Sequence, residues 1–390
     1  MKRQHKMDNI LDVLDGELAG RRHKVWAEIN LAALVRNYKR ILNKSRGATV
    51  IPVIKADAYG HGAVRSMLAL REAGAEIFAV SSIDEAIELR HAPGGDNIDI
   101  IILGYTPEEN ADLLCKYDII QTVFSLEYAK ALDSACENMG VDGIRVHIKL
   151  NTGMNRLGFN TSDTGKAVDE IAFVSKLAHL KSVGIFTHFA CADEFESTLT
   201  LEQTEHFENT VAELGKAGID TGMRHICNSA GILRDDIKAF DAVRAGIILY
   251  GLMPSGEFDF EEFETVMTLK ARVAHVHEID VGETVSYGAT FKADRRMKIA
   301  TLTIGYADGF IRAYSGANVT INGKECPVVG RVCMDQCMAD VSGVDVKPGD
   351  EAVLFENRRQ IETLAGMAST ITYETTCLIG KRVPRIYTEK

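Results

Sequence analysis

Between residues 49 and 250 one pattern recurs: a short aliphatic or β-branched run, a polar turn, then a helix-like stretch. The runs are TVIPVIK (49–55), EIFAV (76–80), IDIIILG (98–104), IIQTVF (119–124), IRVHIKL (144–150), SVGIFTH (182–188), MRHICN (223–228) and FDAVRAGI (240–247). Nearly unbroken apolar runs suit strands buried on both faces, which belong to parallel sheets covered by helices. The intervening segments carry helix signals. SSIDEAIELR has serine caps and an acidic first turn, and SLEYAKALDSACENMG ends on a glycine stop. Eight such units in about 200 residues fit a closed (β/α)8 barrel better than an open doubly wound sheet.

Beyond residue 265 the period changes. MTLKARVAHVHEID, MKIATLTIGYAD, NVTINGKECPVVG and DEAVLF read as strands, and Asn322-Gly323 marks a two-residue hairpin turn. One helical stretch, IETLAGMAS (361–369), interrupts them. The fold expected is α/β: a (β/α)8 TIM barrel over 25–264, then a mostly β domain over 265–390, with residues 1–24 as an extension. That extension begins with charges and has no unbroken apolar core, so it does not read as a secretory signal. No apolar run reaches the ~20 residues that span a bilayer. Basic residues number 44 against 55 acidic ones, a net charge of −11, which argues against nucleic acid or an anionic membrane as partner. The eight cysteines lack disulfide-framework or zinc spacing. Reduced thiols in the cytoplasm, and no metal, are the expectation.

In such a barrel the chemistry lies at the C-terminal strand ends. Lys55 closes the first run, Lys149 the fifth, His188 the sixth and Asn228 the seventh, and the eighth carries Arg244. A strand-end lysine is by itself most often a solvated charge, but five large polar groups on one rim suit an anionic ligand with an electrophilic carbon. NSAG (228–231) and residues 246–248 follow the last two strands, where barrels often bind phosphate on backbone N–H groups. A phosphate-bearing aldehyde held there, opposite Lys55, points to pyridoxal 5′-phosphate as cofactor, bound as a Schiff base.

These motifs resemble those of the alanine racemases, fold-type III pyridoxal-phosphate enzymes. VIKADAYGHGA (53–63) looks like the family's cofactor-lysine signature. HIKLNTGMNRLGF (147–159), GIFTHFACADE (184–194), HICNSAG (225–231), VRAGIILYG (243–251), VSYGATF (285–291), TIGYADGF (303–310), VGRVCMDQCM (329–338) and RVPRIY (382–387) match in order. The resemblance runs from about Trp26 to Tyr387. It implies interconversion of L- and D-alanine by two bases, Lys55 and Tyr287, on opposite faces of the Schiff base. It further implies cofactor contacts from Tyr59, Arg156, His188, Asn228, Ser229, Gly246 and Ile247, with Arg244 facing the pyridine nitrogen. Arg156, Met334 and Tyr306 would hold substrate, and His188 would orient the Tyr287 hydroxyl. Lys149, carbamylated in many members, would position Arg156, with Cys333 and Asp335 in support. In the family these C-terminal residues enter the barrel mouth of the other subunit of a homodimer.

A phenol with an ordinary pKa near ~10 needs stabilisation as phenolate, and His188 and the arginines are the candidate cations. Asn151 and Asn155 stand where the family commonly has Asp and Gly, which bears on the carbamylation. Lys381 stands before Arg382, where a pocket tyrosine is expected, which keeps open a racemase of serine or of broad specificity. A fold-type III decarboxylase fits less well. A non-catalytic pyridoxal-phosphate homeostasis protein would need the barrel alone.

Overall fold

The computed structural model describes residues 23–389; the extension expected over residues 1–24 lies outside them except for its last two positions. Each apolar run forms a strand: Thr49–Pro52, Ile77–Val80, Asp99–Ile102, Ile120–Val123, Ile144–Asn151, Leu180–Phe186, Met223–His225 and Ala242–Ala245. All pair in parallel with their neighbours, and the eighth returns to the first through Val243–Val50 and Arg244–Ile51. The first and second meet at the Val53–Ala79 bridge, where Ile54 N donates to Ala79 O at 2.9 Å. The barrel is therefore closed and has no free edge.

The helices start and stop where their caps dictate. Ser82 Oγ accepts from Glu85 N at 3.3 Å to open Ile83–His91, and Ser125 Oγ accepts from Tyr128 N at 3.1 Å to open Leu126–Met139. Gly140 ends the latter in the left-handed region at φ 65°.

The C-terminal sheet is antiparallel for most of its width. Met267–Ile279 pairs with Glu351–Phe355 on one side and Met297–Leu302 on the other, which curls six strands into a second, smaller barrel. The hairpin between Asn318–Ile321 and Lys324–Val329 turns on Asn322 (φ 48°) and Gly323 (φ 76°), the double positive φ that Asn-Gly supplies.

Two expectations need correction. The segment Val25–Asn30, assigned to the barrel, lies instead in the C-terminal sheet, antiparallel to Met267–Ile279 and parallel to Arg385–Thr388. The eight barrel strands already satisfy one another, so this strand finds its backbone partners elsewhere. Glu28 meets Lys270 across the new pair at 2.8 Å. The C-terminal domain also has a second helix, Thr372–Cys377, besides Arg358–Met367.

That helix packs on the turn after Lys55 through Gly60. A Cβ at Gly60 (φ 85°) would lie 2.3 Å from the Thr376 carbonyl oxygen, and the Gly60 carbonyl accepts from Arg385 Nε at 2.9 Å. Gly60→Ala is expected to cost roughly 2 kcal/mol or more, through a strained φ and a backbone clash. Thermal unfolding should show Tm lowered by several degrees; an unchanged Tm would refute this account of the contact.

Candidate active site

Residues Ala56, Asp57, Ala58 and Tyr59 all lie in the left-handed region, with φ between 52° and 55°. Each such residue costs about 1–2 kcal/mol without a glycine, so the surroundings must hold the turn. Ala56 N donates to Glu85 Oε1 at 2.6 Å, Ala63 N to Asp57 Oδ1 at 2.8 Å and Gly62 N to the Asp57 carbonyl at 2.8 Å. Buried His61 donates from Nδ1 to the Ala58 carbonyl at 2.9 Å, and burial pushes its pKa down to about 4, so it stays neutral. The turn brings Lys55 and Tyr59 into one cavity of about 530 Å³.

His188, Asn228, Ser229, Arg244, Gly246 and Ile247 line the same cavity. Asn228 caps the short helix Ser229–Leu233 by accepting from Gly231 N at 3.0 Å. Gly246 N donates to Ser229 Oγ at 3.0 Å, and a Cβ at Gly246 would stand 2.8 Å from the Tyr59 hydroxyl. Two hydroxyls thus converge on a backbone that only glycine leaves uncovered. Burial drives the Tyr59 phenol well above its ordinary range, so it remains a hydrogen-bond donor.

Arg244 is buried and donates to five acceptors. These are His225 Nδ1 (2.7 Å), the His225, Thr187 and Ile226 carbonyls (2.9, 2.6 and 3.0 Å) and His188 Nδ1 (3.3 Å). A guanidinium only donates, so His225 carries its hydrogen on Nε2, which donates to His147 Nδ1 at 2.9 Å. Burial pushes Arg244 down to about 10, which still leaves it charged at neutral pH. Burial and the Arg244 charge push His188 and His225 well below 6.5, and burial lowers His147 to about 3. His188 is therefore neutral, which corrects the expectation that it serves as a cation. With Nδ1 accepting from Arg244, its Nε2–H is the donor.

Lys149 and Arg156 stand outside the cavity lining but act on it. Lys149 is buried against the Phe186 ring at 4.6 Å; burial, then Arg244, Arg156 and Lys55, lower its pKa to about 7. Burial, then Arg156, also lower Lys55, while Glu85 and Cys377 act the other way.

Tyr287, Cys333, Met334 and Asp335 line a different cavity of about 540 Å³, together with Ser286 and Gln336. Tyr287 is 70% exposed and Met334 53% exposed. Tyr306 is exposed at its margin, its N donating to the Cys333 carbonyl at 3.0 Å. Neither cavity of one chain holds Lys55 and Tyr287 together.

Comparison with known proteins settles the kinship. Residues 29–254 match the model of the alanine racemase N-terminal domain and residues 266–387 that of the alanine racemase C-terminal domain. The chain belongs to the alanine racemase family. Alanine racemase from Clostridium novyi is 44% identical over 93% of this chain and 95% of its own. That of Methanococcus maripaludis is 40% identical over 94% and 99%. Among solved structures, alanine racemase from Clostridium difficile 630 superposes with a TM-score of 0.88 at 37% identity, covering 94% of this chain and 96% of that one. The Bacillus anthracis enzyme with bound L-Ala-P gives 0.88 at 33%, over 95% and 97%.

Against the family's motifs, the sequence reading missed several lining residues. Tyr373, Cys377 and Glu374 come from the unexpected second helix, and Leu103 and Asp193 from barrel loops. Tyr373 also corrects the expectation built on Lys381. Its ring lies 6.1 Å from that of Tyr59, whereas exposed Lys381 is absent from the lining and acts on Glu88. His147 and His225 were detectable only as polar letters inside apolar runs.

Lys149 generates a pH signature. Its folded pKa, about 7, lies below the ordinary 10.5. The unfolded chain thus binds more protons in between, and stability rises with pH across that window. In cofactor-free, CO2-free buffer, Lys149→Met should raise Tm at and below pH 7, with the advantage shrinking toward pH 10.5. A difference independent of pH would contradict the buried-amine reading.

Proposed function

We propose that the protein interconverts L-alanine and D-alanine with pyridoxal 5′-phosphate, using Lys55 and Tyr287 as proton carriers on opposite faces of the reacting carbon. The observation that carries this reading is the cavity in which Lys55, Arg244, Tyr59, Ser229 and the bare Gly246 backbone converge. Those donors fit the coenzyme: Tyr59, Ser229, Gly246 and Ile247, capped by Asn228, would hold the phosphate, and Lys55 the aldehyde carbon. Bound there, the coenzyme supplies an electron sink for the pair left when alanine's α-proton departs.

The chain's own groups do the rest. Burial and Arg156 favour the neutral amine of Lys55, the form able to accept a proton. Arg244, charged and held by acceptors on both terminal nitrogens, would face the ring nitrogen without yielding its proton, so that nitrogen would stay unprotonated. Arg156 and Met334 would hold the alanine carboxylate, flanked by Tyr306, Cys333 and Asp335. Lys149, with a pKa near 7, presents a neutral amine to CO2, and the resulting carbamate would pair with Arg156. Tyr287 would come from a second copy of the chain, its oxygen accepting from His188 Nε2–H. The broad-specificity alternative rested on Lys381, which is not in the cavity; Tyr373 is. No helix among the described residues is long and apolar enough to cross a membrane.

Two measurements test this. Lys55→Ala and Tyr287→Phe proteins, each inactive, should regain alanine racemisation when mixed, because a hybrid dimer has one intact and one doubly disabled site. No recovery after confirmed subunit exchange would sink the shared site. Arg244→Glu should raise the ratio of transamination to racemisation, since a carboxylate partner would let the ring nitrogen carry a proton; unchanged partitioning would refute the role given to Arg244.

A further inference from the structure

The stretch Ser82-x-x-Glu85 has the sequence of a capping box, in which the glutamate would turn back to the backbone N–H of its own cap residue. Only half of that box forms. Ser82 Oγ accepts from Glu85 N at 3.3 Å, but the Glu85 carboxylate passes Ser82 by. Oε1 accepts from Ala56 N at 2.6 Å, and Oε2 accepts from Ser81 N at 2.8 Å and Ser81 Oγ at 3.0 Å. The carboxylate thus ties the left-handed turn after the first barrel strand to the end of the second. This is where the ladder between the two strands has shrunk to the Val53–Ala79 bridge.

We propose that Glu85 is a positioning residue for the Lys55 amine: it clamps the strained turn that begins at Ala56 and sets a negative charge within Coulombic reach of the amine. Consequences for turnover rest on the function proposed above; the clamp and the charge do not. Three donors on two oxygens, one of them the peptide N–H adjoining Lys55, are more than a helix cap requires. The turn has four residues with positive φ and no glycine among them, so it persists only while such bonds over-determine it. The electrostatic surroundings point the same way. Arg156 from the loop after the fifth strand opposes protonation of Lys55, and Lys55 in turn opposes protonation of buried Lys149 on the fifth strand, while His188 after the sixth strand is neutral. Glu85 favours protonation, with the Cys377 thiol from the C-terminal helix acting alongside it. Beyond Glu85, Glu88 and Asp57 extend the acidic side.

The test uses the cofactor-free full chain and reads the amine directly. Competitive acetylation of Lys55, followed by mass spectrometry across pH, gives the midpoint at which the neutral amine appears. Amide hydrogen exchange over residues 56–63 reports the clamp. Glu85→Gln, isosteric and uncharged, should move the acetylation midpoint to lower pH. Glu85→Ala should speed exchange of the turn by about tenfold or more, the loss expected when hydrogen bonds to a charged carboxylate are removed. If Glu85→Ala does not fold, Glu85→Gln carries both readouts, since its single accepting oxygen cannot serve Ala56 N and Ser81 N together. A midpoint unmoved in Glu85→Gln, or unaltered exchange of the turn, overturns the proposal. Neither readout depends on racemisation, so failure here and failure of the proposed function are distinguishable.

Discussion

A left-handed turn without glycine is the constraint on which the site depends. Chirality disfavours it by about 1–2 kcal/mol per residue, and the chain places four such residues in succession, Ala56–Tyr59. Along this path Lys55 and Tyr59, four positions apart, reach one cavity. The strain is distributed over several partners: Glu85 from the second barrel unit, buried His61 stacked 4.4 Å from the Tyr250 ring, and the C-terminal helix against Gly60. Both domains therefore contribute to the position of one amine.

The cavity's charge follows from the same closure. The chain as a whole carries −11, yet Lys55, Lys149, Arg156 and Arg244 act on one another at the barrel mouth. Burial and mutual repulsion resolve the crowding by loosening protons from the lysines, while Arg244 keeps its own through its bonds to carbonyls and histidine nitrogens. Neutral histidines around Arg244 add acceptors without adding charge. The outcome is a fixed cation beside an amine that can exchange its proton, which is the division of labour a proton-transfer site needs.

How much of this could be read from the amino acids depends on the range of the determining interaction. The barrel was legible because strands buried on both faces leave continuous apolar runs, and Ser82, Ser125 and Gly140 mark helix ends locally. Lys55, Arg244 and Ser229 were legible because they interrupt or follow those runs. Val25–Asn30 was assigned to the wrong domain because its partners are about 240 and about 360 residues away, in Met267–Ile279 and Arg385–Thr388. The left-handed turn was not legible at all: Ala-Asp-Ala has no glycine to announce positive φ, and what holds it lies across space at Glu85. Tyr373 was missed because its short helix is defined by packing on Gly60 rather than by an apolar period. Tyr287 and Met334 stood out only through likeness to a family, since their exposure on one chain has no local signature.

The loop around Tyr287 obeys the same physics as the turn after Lys55. Tyr287 is flanked by Ser286 at φ 67°, Gly288 at φ 75° and Ala289 at φ 49°, another run of positive φ. Ser286 Oγ donates to the Arg331 carbonyl at 2.6 Å, and a Cβ at Gly288 would lie 2.6 Å from Arg331 Nη1. The loop that presents the phenol is therefore braced against the segment that presents Met334. Arg382 extends the brace, pairing with buried Asp308 at 3.0 Å and with Asp335 at 2.6 Å. An exposed aromatic on a soft loop would lose much of its binding energy to ordering when a second copy arrives. Here hydrogen bonds brace the loop beforehand, so under the shared site proposed above a second copy would have little left to order.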